Sequence, residues 1–126
     1  MKRLLVNIAL FFVAVFLLST VGLFGVIYGL YHSVKHYTKT QFIEYWTDIV
    51  YLINIGIDQI GNVILAPFLN RFCLIDDKEA SKFGSVTETI SYVLALNYFT
   101  NYLTPFGLWL VKVLEKIDEN HMEKSL

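Results

Sequence analysis

Hydrophobic and polar positions divide the chain into four zones. From Leu4 to Tyr31 the residues read LLVNIALFFVAVFLLSTVGLFGVIYGLY, without one charged side chain. A helix needs about 20 apolar residues to cross ~30 Å of hydrocarbon, and in lipid the helix is the form that satisfies its own backbone. The run therefore predicts a long transmembrane helix over 4–31. Residues 32–46 read as a polar, aromatic-rich connector, after which apolar character returns over 47–69 with interruptions at a period of four. Asn54, Asp58 and Asn62 form the series, and Asn70 continues it after a gap at Ala66. Residues at i and i+4 share a helix face, so a second membrane-associated or transmembrane helix is predicted, oily and isoleucine-rich except for a narrow polar seam. Pro67 is expected to end or bend it.

Asp76–Glu88, DDKEASKFGSVTE, is the sharpest break in composition and must face water or a polar partner. Ser85-x-x-Glu88 matches the capping-box pattern, and a helix is predicted over 86–98 with Ile90, Val93, Leu94 and Leu96 on its apolar side. Thr104 suits an N-cap and Pro105 a first helical position, which places a further helix over 105–119. Its Phe106, Trp109, Leu110, Val113, Leu114 and Ile117 are expected on one side, with Lys112, Glu115, Lys116 and Glu119 on the other. The expected fold class is an all-α membrane protein with two shorter C-terminal amphipathic helices, in a single domain over 1–126.

Within the first helix, Gly22, Gly25 and Gly29 lie along one face, and Gly25-x-x-x-Gly29 permits close helix approach. Tyr28, Tyr31, Trp46 and Trp109 are the side-chain types that settle at a membrane–water boundary and are expected to anchor the chain there. Lys2 and Arg3 ahead of a long apolar run also open a signal peptide, but this run outlasts the ~7–15 residues of a signal's apolar region. An uncleaved anchor is the expectation. Orientation stays open, because Lys2 and Arg3 before the helix are nearly balanced by Lys35 and Lys39 after it.

The polar seam has three readings. It docks on the first helix or a neighbouring copy, it lies flat in the interface as an amphipathic helix, or it lines a pore. Asp58 sharpens the question, since a carboxylate in the hydrocarbon is costly unless paired or solvated.

Composition narrows the chemistry. Charged residues make up 17% of the chain, against roughly a quarter in a soluble domain. The net charge of -1 gives no field that would draw nucleic acid, and no specific nucleic-acid binding is expected. The one cysteine, Cys73, reads as a small hydrophobe, and His121 as a solvated side chain. His32 and His36 stand four apart but lack a third metal ligand. Glu44 and Asp48 lack an enclosed pocket, and no phosphate loop, nucleophile elbow or paired-cysteine motif occurs. A non-enzymatic protein without cofactor or metal is expected.

The last third carries a recognisable order of residues. Glu88-Thr89-Ile90-Ser91 is followed by Leu94, then Thr104-x-x-Gly107-x-Trp109-Leu110. Leu114-x-x-Ile117-Asp118-x-Asn120-His121 and Lys124-Ser125-Leu126 complete it. This resembles a motif of small uncharacterised bacteriophage proteins, and departs from it at Ala95–Tyr102, where ALNYFTNY replaces glycine and basic residues. The resemblance implies a phage gene product. Joined to the anchor, it suggests a structural component of a membrane-containing virion that links lipid to capsid proteins, as a homo-oligomer or in a larger assembly. A holin-like lysis protein that oligomerises in the host membrane, and an accessory subunit of a cellular membrane complex, are the alternatives. The expected location is a virion internal membrane or the bacterial inner membrane.

Overall fold

The computed structural model describes every residue, Met1–Leu126. The chain is all-α. Helix α1, Lys2–Leu17, passes through one π-helical turn, Leu18–Gly22, into α2, Leu23–His36. Then come α3 (Lys39–Ile64), α4 (Ala66–Phe72), α5 (Ile90–Phe99), α6 (Pro105–Ile117) and α7 (His121–Lys124). Where one domain was expected, contacts divide the chain into two compact units, Met1–Asp48 and Ile49–Leu126.

In the first unit, α1, the π turn and α2 make a 35-residue helix with a mean hydropathy of 2.6 over its most apolar window, none of it buried. By length and composition it is the one continuous helix that can cross a bilayer. Its two internal hydroxyls are satisfied locally: Ser19 Oγ and Thr20 Oγ1 both donate to the Phe16 carbonyl, at 3.0 and 2.7 Å, just ahead of the π turn. Such hydroxyl-to-carbonyl bonds keep polar groups out of an apolar surround.

The connector expected over 32–46 is almost entirely helical. Only Tyr37 and Thr38 separate α2 from α3, and Thr38-x-x-Gln41 forms a capping box. The Thr38 amide donates to Gln41 Oε1 at 3.0 Å, and the Gln41 amide to Thr38 Oγ1 at 3.4 Å. The start of α3 folds back on α2. Trp46 Nε1 donates to Ser33 Oγ at 3.1 Å, and Ser33 is fully buried. Trp46 thus clasps the helical hairpin.

The second unit has the chain's apolar core. Leu69, Cys73, Leu74, Phe83, Val93, Leu94, Leu103, Val111 and Met122 are buried together. Pro67 takes the first turn of α4, where its missing amide leaves no gap, and α3 and α4 meet at a bend of 75°. After α4 the chain pairs briefly with the α5–α6 connection. Leu74 bridges Leu103 in antiparallel fashion, and the Thr104 amide donates to the Cys73 carbonyl at 2.8 Å. Close approach here requires glycine. A Cβ on Gly107 would lie 2.5 Å from the Cys73 carbonyl oxygen. Thr104 caps α6 by accepting the Gly107 amide at 3.2 Å.

One boundary and one face differ from expectation. Helix α5 begins at Ile90, with Thr89 rather than Ser85 as its N-cap: Thr89 Oγ1 accepts the Tyr92 amide at 3.0 Å. Ser85 instead turns back on Thr87. The apolar side of α6 is divided, with Gly107 and Val111 buried and Leu110 and Leu114 packed against the core. Phe106, Trp109, Val113 and Ile117 are exposed, Ile117 by 78%. Trp109 stacks on Phe106, at 5.7 Å between centroids.

Candidate functional site

The polar seam organises the second unit, and its partner is the chain's own loop. Asp58 lies at the N-terminus of α5. Its Oδ1 accepts the Ile90 amide at 3.0 Å, and its Oδ2 accepts the Ser91 amide at 3.3 Å and the Ser91 hydroxyl at 2.9 Å. The first amides of a helix have no intrahelical acceptor and carry the positive end of its dipole. A carboxylate at this point is stabilised without any lysine or arginine. One helical turn on, Asn62 is fully buried and acts at both ends of its amide. Its Oδ1 accepts the Gly84 amide at 3.2 Å, and its Nδ2 donates to the Ser85 and Glu88 carbonyls at 3.0 and 2.9 Å. Gln59 adds a longer bond to the Thr87 carbonyl, at 3.4 Å. Asn70 brackets Phe83 in the same way, accepting its amide at 2.8 Å and donating to its carbonyl at 3.0 Å.

These side chains hold a segment without regular structure by supplying the bonds its backbone lacks. Asn97 does so from the other side: its Oδ1 accepts the Ser81 amide at 3.0 Å, and its Nδ2 donates to the Ser81 and Val93 carbonyls, each at 2.8 Å. Gly84, at φ +121°, makes the bend that brings the loop under Asn62. No buried side-chain nitrogen or oxygen is left without a partner.

Asn54, first of the series, is exposed and lies one turn beyond the loop. It lines a cavity of about 860 Å3 together with Tyr51, Asp58, Ser91, His121 and Lys124. Into this cavity runs a chain of polar contacts that the sequence reading missed. His121 is not freely solvated; its side chain is 25% exposed and both ring nitrogens are engaged. Nδ1 is 3.1 Å from Asp118 Oδ2, and Nε2 is 3.3 Å from Ser91 Oγ. Lys124 Nζ donates to the other oxygen of Asp118. Asp118 is held below its ordinary value by the Lys124 hydrogen bond first and the His121 bond second.

Serine, histidine and aspartate in this order are the members of a nucleophilic triad, but the surroundings work against an acyl-transfer nucleophile. The Ser91 hydroxyl has a rival acceptor in Asp58, nearer than the imidazole. Negative charge developing at Ser91 would face that carboxylate. The amides of Ile90, Ser91 and Tyr92, the natural oxyanion donors of a helix N-terminus, are already bound by Asp58 and Thr89. What the arrangement does is fasten the C-terminus. Asp58, Ser91, His121, Asp118 and Lys124 link α3, α5, the end of α6 and α7. Glu115 completes the fastening by accepting the Asn120 and Met122 amides at 3.0 and 2.8 Å.

The remaining candidates lie in the first unit, apart from Trp109. A Cβ on Gly25 would meet nothing within 4 Å, and one on Gly22 would meet only its own helix, nearest at the Leu18 side chain. Gly29 faces the Tyr45 hydroxyl, which would stand 3.6 Å from an added Cβ. Tyr28 and Tyr31 are exposed, and Lys35 lies over the Tyr31 ring at 5.6 Å from its centroid. The His32 and His36 rings pack at 4.6 Å between centroids, and no group of three or more potential metal-binding side chains exists. Comparison of the chain with protein-family models, curated proteins and solved structures returned no match.

Proposed function

We propose that this is a non-enzymatic membrane-anchored structural protein. Its N-terminal helix spans the bilayer, and its second unit is a folded head that binds protein partners. The observation that carries this reading is the 35-residue helix whose most apolar window has nothing buried against it. An apolar surface of that extent is stable only in lipid or against other chains. The head supports the reading differently, because its seam serves its own fold. Asp58 and Asn62, the side chains that a pore would need to face water, are bound to the 84–91 loop. In the setting suggested by the C-terminal resemblance, the lipid is that of a membrane-containing phage particle and the partners are coat proteins.

Alkaline carbonate washing of membranes carrying the full chain tests the anchor. The expected result is a chain that stays with the lipid at full mass. Release into the wash, or a mass lacking the residues before Tyr31, overturns it. In purified particles, the chain should be found in many copies with lipid and coat protein; its absence there, with abundance in the host envelope, would overturn the virion assignment.

A further inference from the structure

The first unit contains a cavity of about 270 Å3 lined by Gly25, Tyr28, Gly29, His32, Tyr37 and Tyr45. Its walls are rings. Tyr28 and His32 lie 6.1 Å apart between centroids, His32 and Tyr37 5.8 Å, and Tyr37 and Tyr45 5.5 Å. The last two pairs are crossed at 89° and 75°, so the walls face different directions. The two glycines keep the space open, since a Cβ at Gly25 would touch nothing and one at Gly29 only the Tyr45 hydroxyl. No aspartate, glutamate, lysine or arginine lines the cavity. Lys35 is placed over Tyr31, which is not among the lining residues, and Lys39 is not among them either.

Aromatic rings attract cations through their negative faces, and cages built from them are the recurring way proteins hold quaternary ammonium groups. The chemistry selects within the cations. A metal ion or bare ammonium is strongly hydrated and would exchange water for a site with no carboxylate. A quaternary ammonium gives up little hydration and offers methyl groups to the rings. An anion would find no lysine or arginine among the lining residues, whose one basic side chain is His32.

We infer that this cavity is a binding site for a quaternary ammonium group, filled by the choline headgroup of a lipid. The lipid source rests on the membrane-anchored reading, which puts Tyr28 and Tyr31, at the end of the apolar run, at headgroup depth. The ligand chemistry does not.

The full chain, labelled with 3-fluorotyrosine and held in a maltoside detergent, is titrated with tetramethylammonium chloride against sodium chloride at equal ionic strength. Fluorine resonances from Tyr28, Tyr37 and Tyr45 should shift saturably with tetramethylammonium alone, while Tyr31 stays still. Tyr45→Leu should weaken the affinity about two- to five-fold, the worth of one partly exposed ring, and Tyr45→Phe should restore it. Gly25→Leu should abolish the response by filling the cavity where nothing else is touched. Absence of a saturable shift, or an equal shift with sodium, overturns the site. Vesicles then identify the source. Phosphatidylcholine should reproduce the shift and phosphatidylglycerol should not; a response to soluble tetramethylammonium but to neither vesicle overturns the lipid headgroup as ligand. A chain that washes off both vesicles refutes the anchor instead, and the detergent titration still decides the cage.

Discussion

Replacing Asp58 with alanine removes three accepted hydrogen bonds, those from the Ile90 amide, the Ser91 amide and the Ser91 hydroxyl. The hydroxyl can turn to the nearby His121 ring, so its loss is small. The two amides at the start of α5 have no other acceptor in the protein. Each unsatisfied buried group costs about 1–3 kcal/mol, and the favourable placement of a carboxylate at a helix N-terminus is worth about 0.3–1 kcal/mol more. Asp58 is half-buried, so water recovers part of this, and the net loss comes to about 3 kcal/mol. For a domain the size of the second unit, each kcal/mol moves the melting temperature by ~4–8 °C, so the variant should melt ~12–24 °C lower. Asp58→Asn keeps one acceptor for the Ile90 amide but turns an amide group toward Ser91, and should fall between. Asn54→Ala, on the same stripe but exposed and outside the ladder, should change stability by less than ~0.5 kcal/mol. Near-ultraviolet circular dichroism of the full chain in detergent reads the loss of packing in the second unit, and far-ultraviolet dichroism reads the helicity that the N-terminal helix retains. Equal melting of the Asp58 and Asn54 variants would refute the reasoning, because it would mean that the carboxylate does not hold α5.

Other perturbations follow from the same contacts. Asn62→Asp should be worse than Asn62→Ala in thermal melting, because a carboxylate would face the Ser85 and Glu88 carbonyls where the amide now donates. Gly107→Ala drives a Cβ against the Cys73 backbone and should destabilise the second unit by about 1–3 kcal/mol, visible as a lowered denaturant midpoint with unchanged helicity of the N-terminal helix. Cys73 is fully buried and burial pushes its thiol up to about 11, so alkylation at pH 8 should be slow until denaturant opens the core. The same raised value means that its contribution to stability is complete below the unfolded thiol's value and is lost as pH rises toward 11. Asp118 has the opposite sign. Its lowered value makes its bonds to Lys124 and His121 a contribution present above the ordinary carboxylate range and lost as acid protonates the folded side chain. The protection of the α7 amides, measured relative to their slower intrinsic exchange in acid, should therefore fall before the core melts.

The elements that depend on neighbours in sequence were legible from it. The uncharged run before Tyr31, the break at Pro67 and the Thr104–Pro105 start of α6 each follow from residues within a turn or two. The period-four stripe marked Asp58 and Asn62 as sharing a face. Its partner could not be read, because the bonds to the loop at 84–91 span 22 to 33 residues and come mostly from backbone atoms, which leave no pattern in side-chain types. The start of α5 failed for the same reason: Ser85 and Thr89 both have capping chemistry, and the Asp58 carboxylate that binds the Ile90 and Ser91 amides comes from another helix. Thr38-x-x-Gln41 was a readable capping box, overlooked because charge and aromatic content made 32–46 resemble a surface connector. His121 had only a local signal, its three-residue spacing from Asp118, since its other partner, Ser91, lies 30 residues away and meets it only when α5 and α7 pack.

Hydrogen exchange on the full chain in lipid vesicles tests the anchored-head account most directly. It predicts slow exchange through 4–31, where hydrocarbon excludes water. It also predicts slow exchange at the Phe83, Gly84, Ile90 and Ser91 amides, which are bound by Asn70, Asn62 and Asp58, beside fast exchange at exposed Val86. Rapid exchange through 4–31, or amides at 84, 90 and 91 that exchange as fast as Val86, would contradict it.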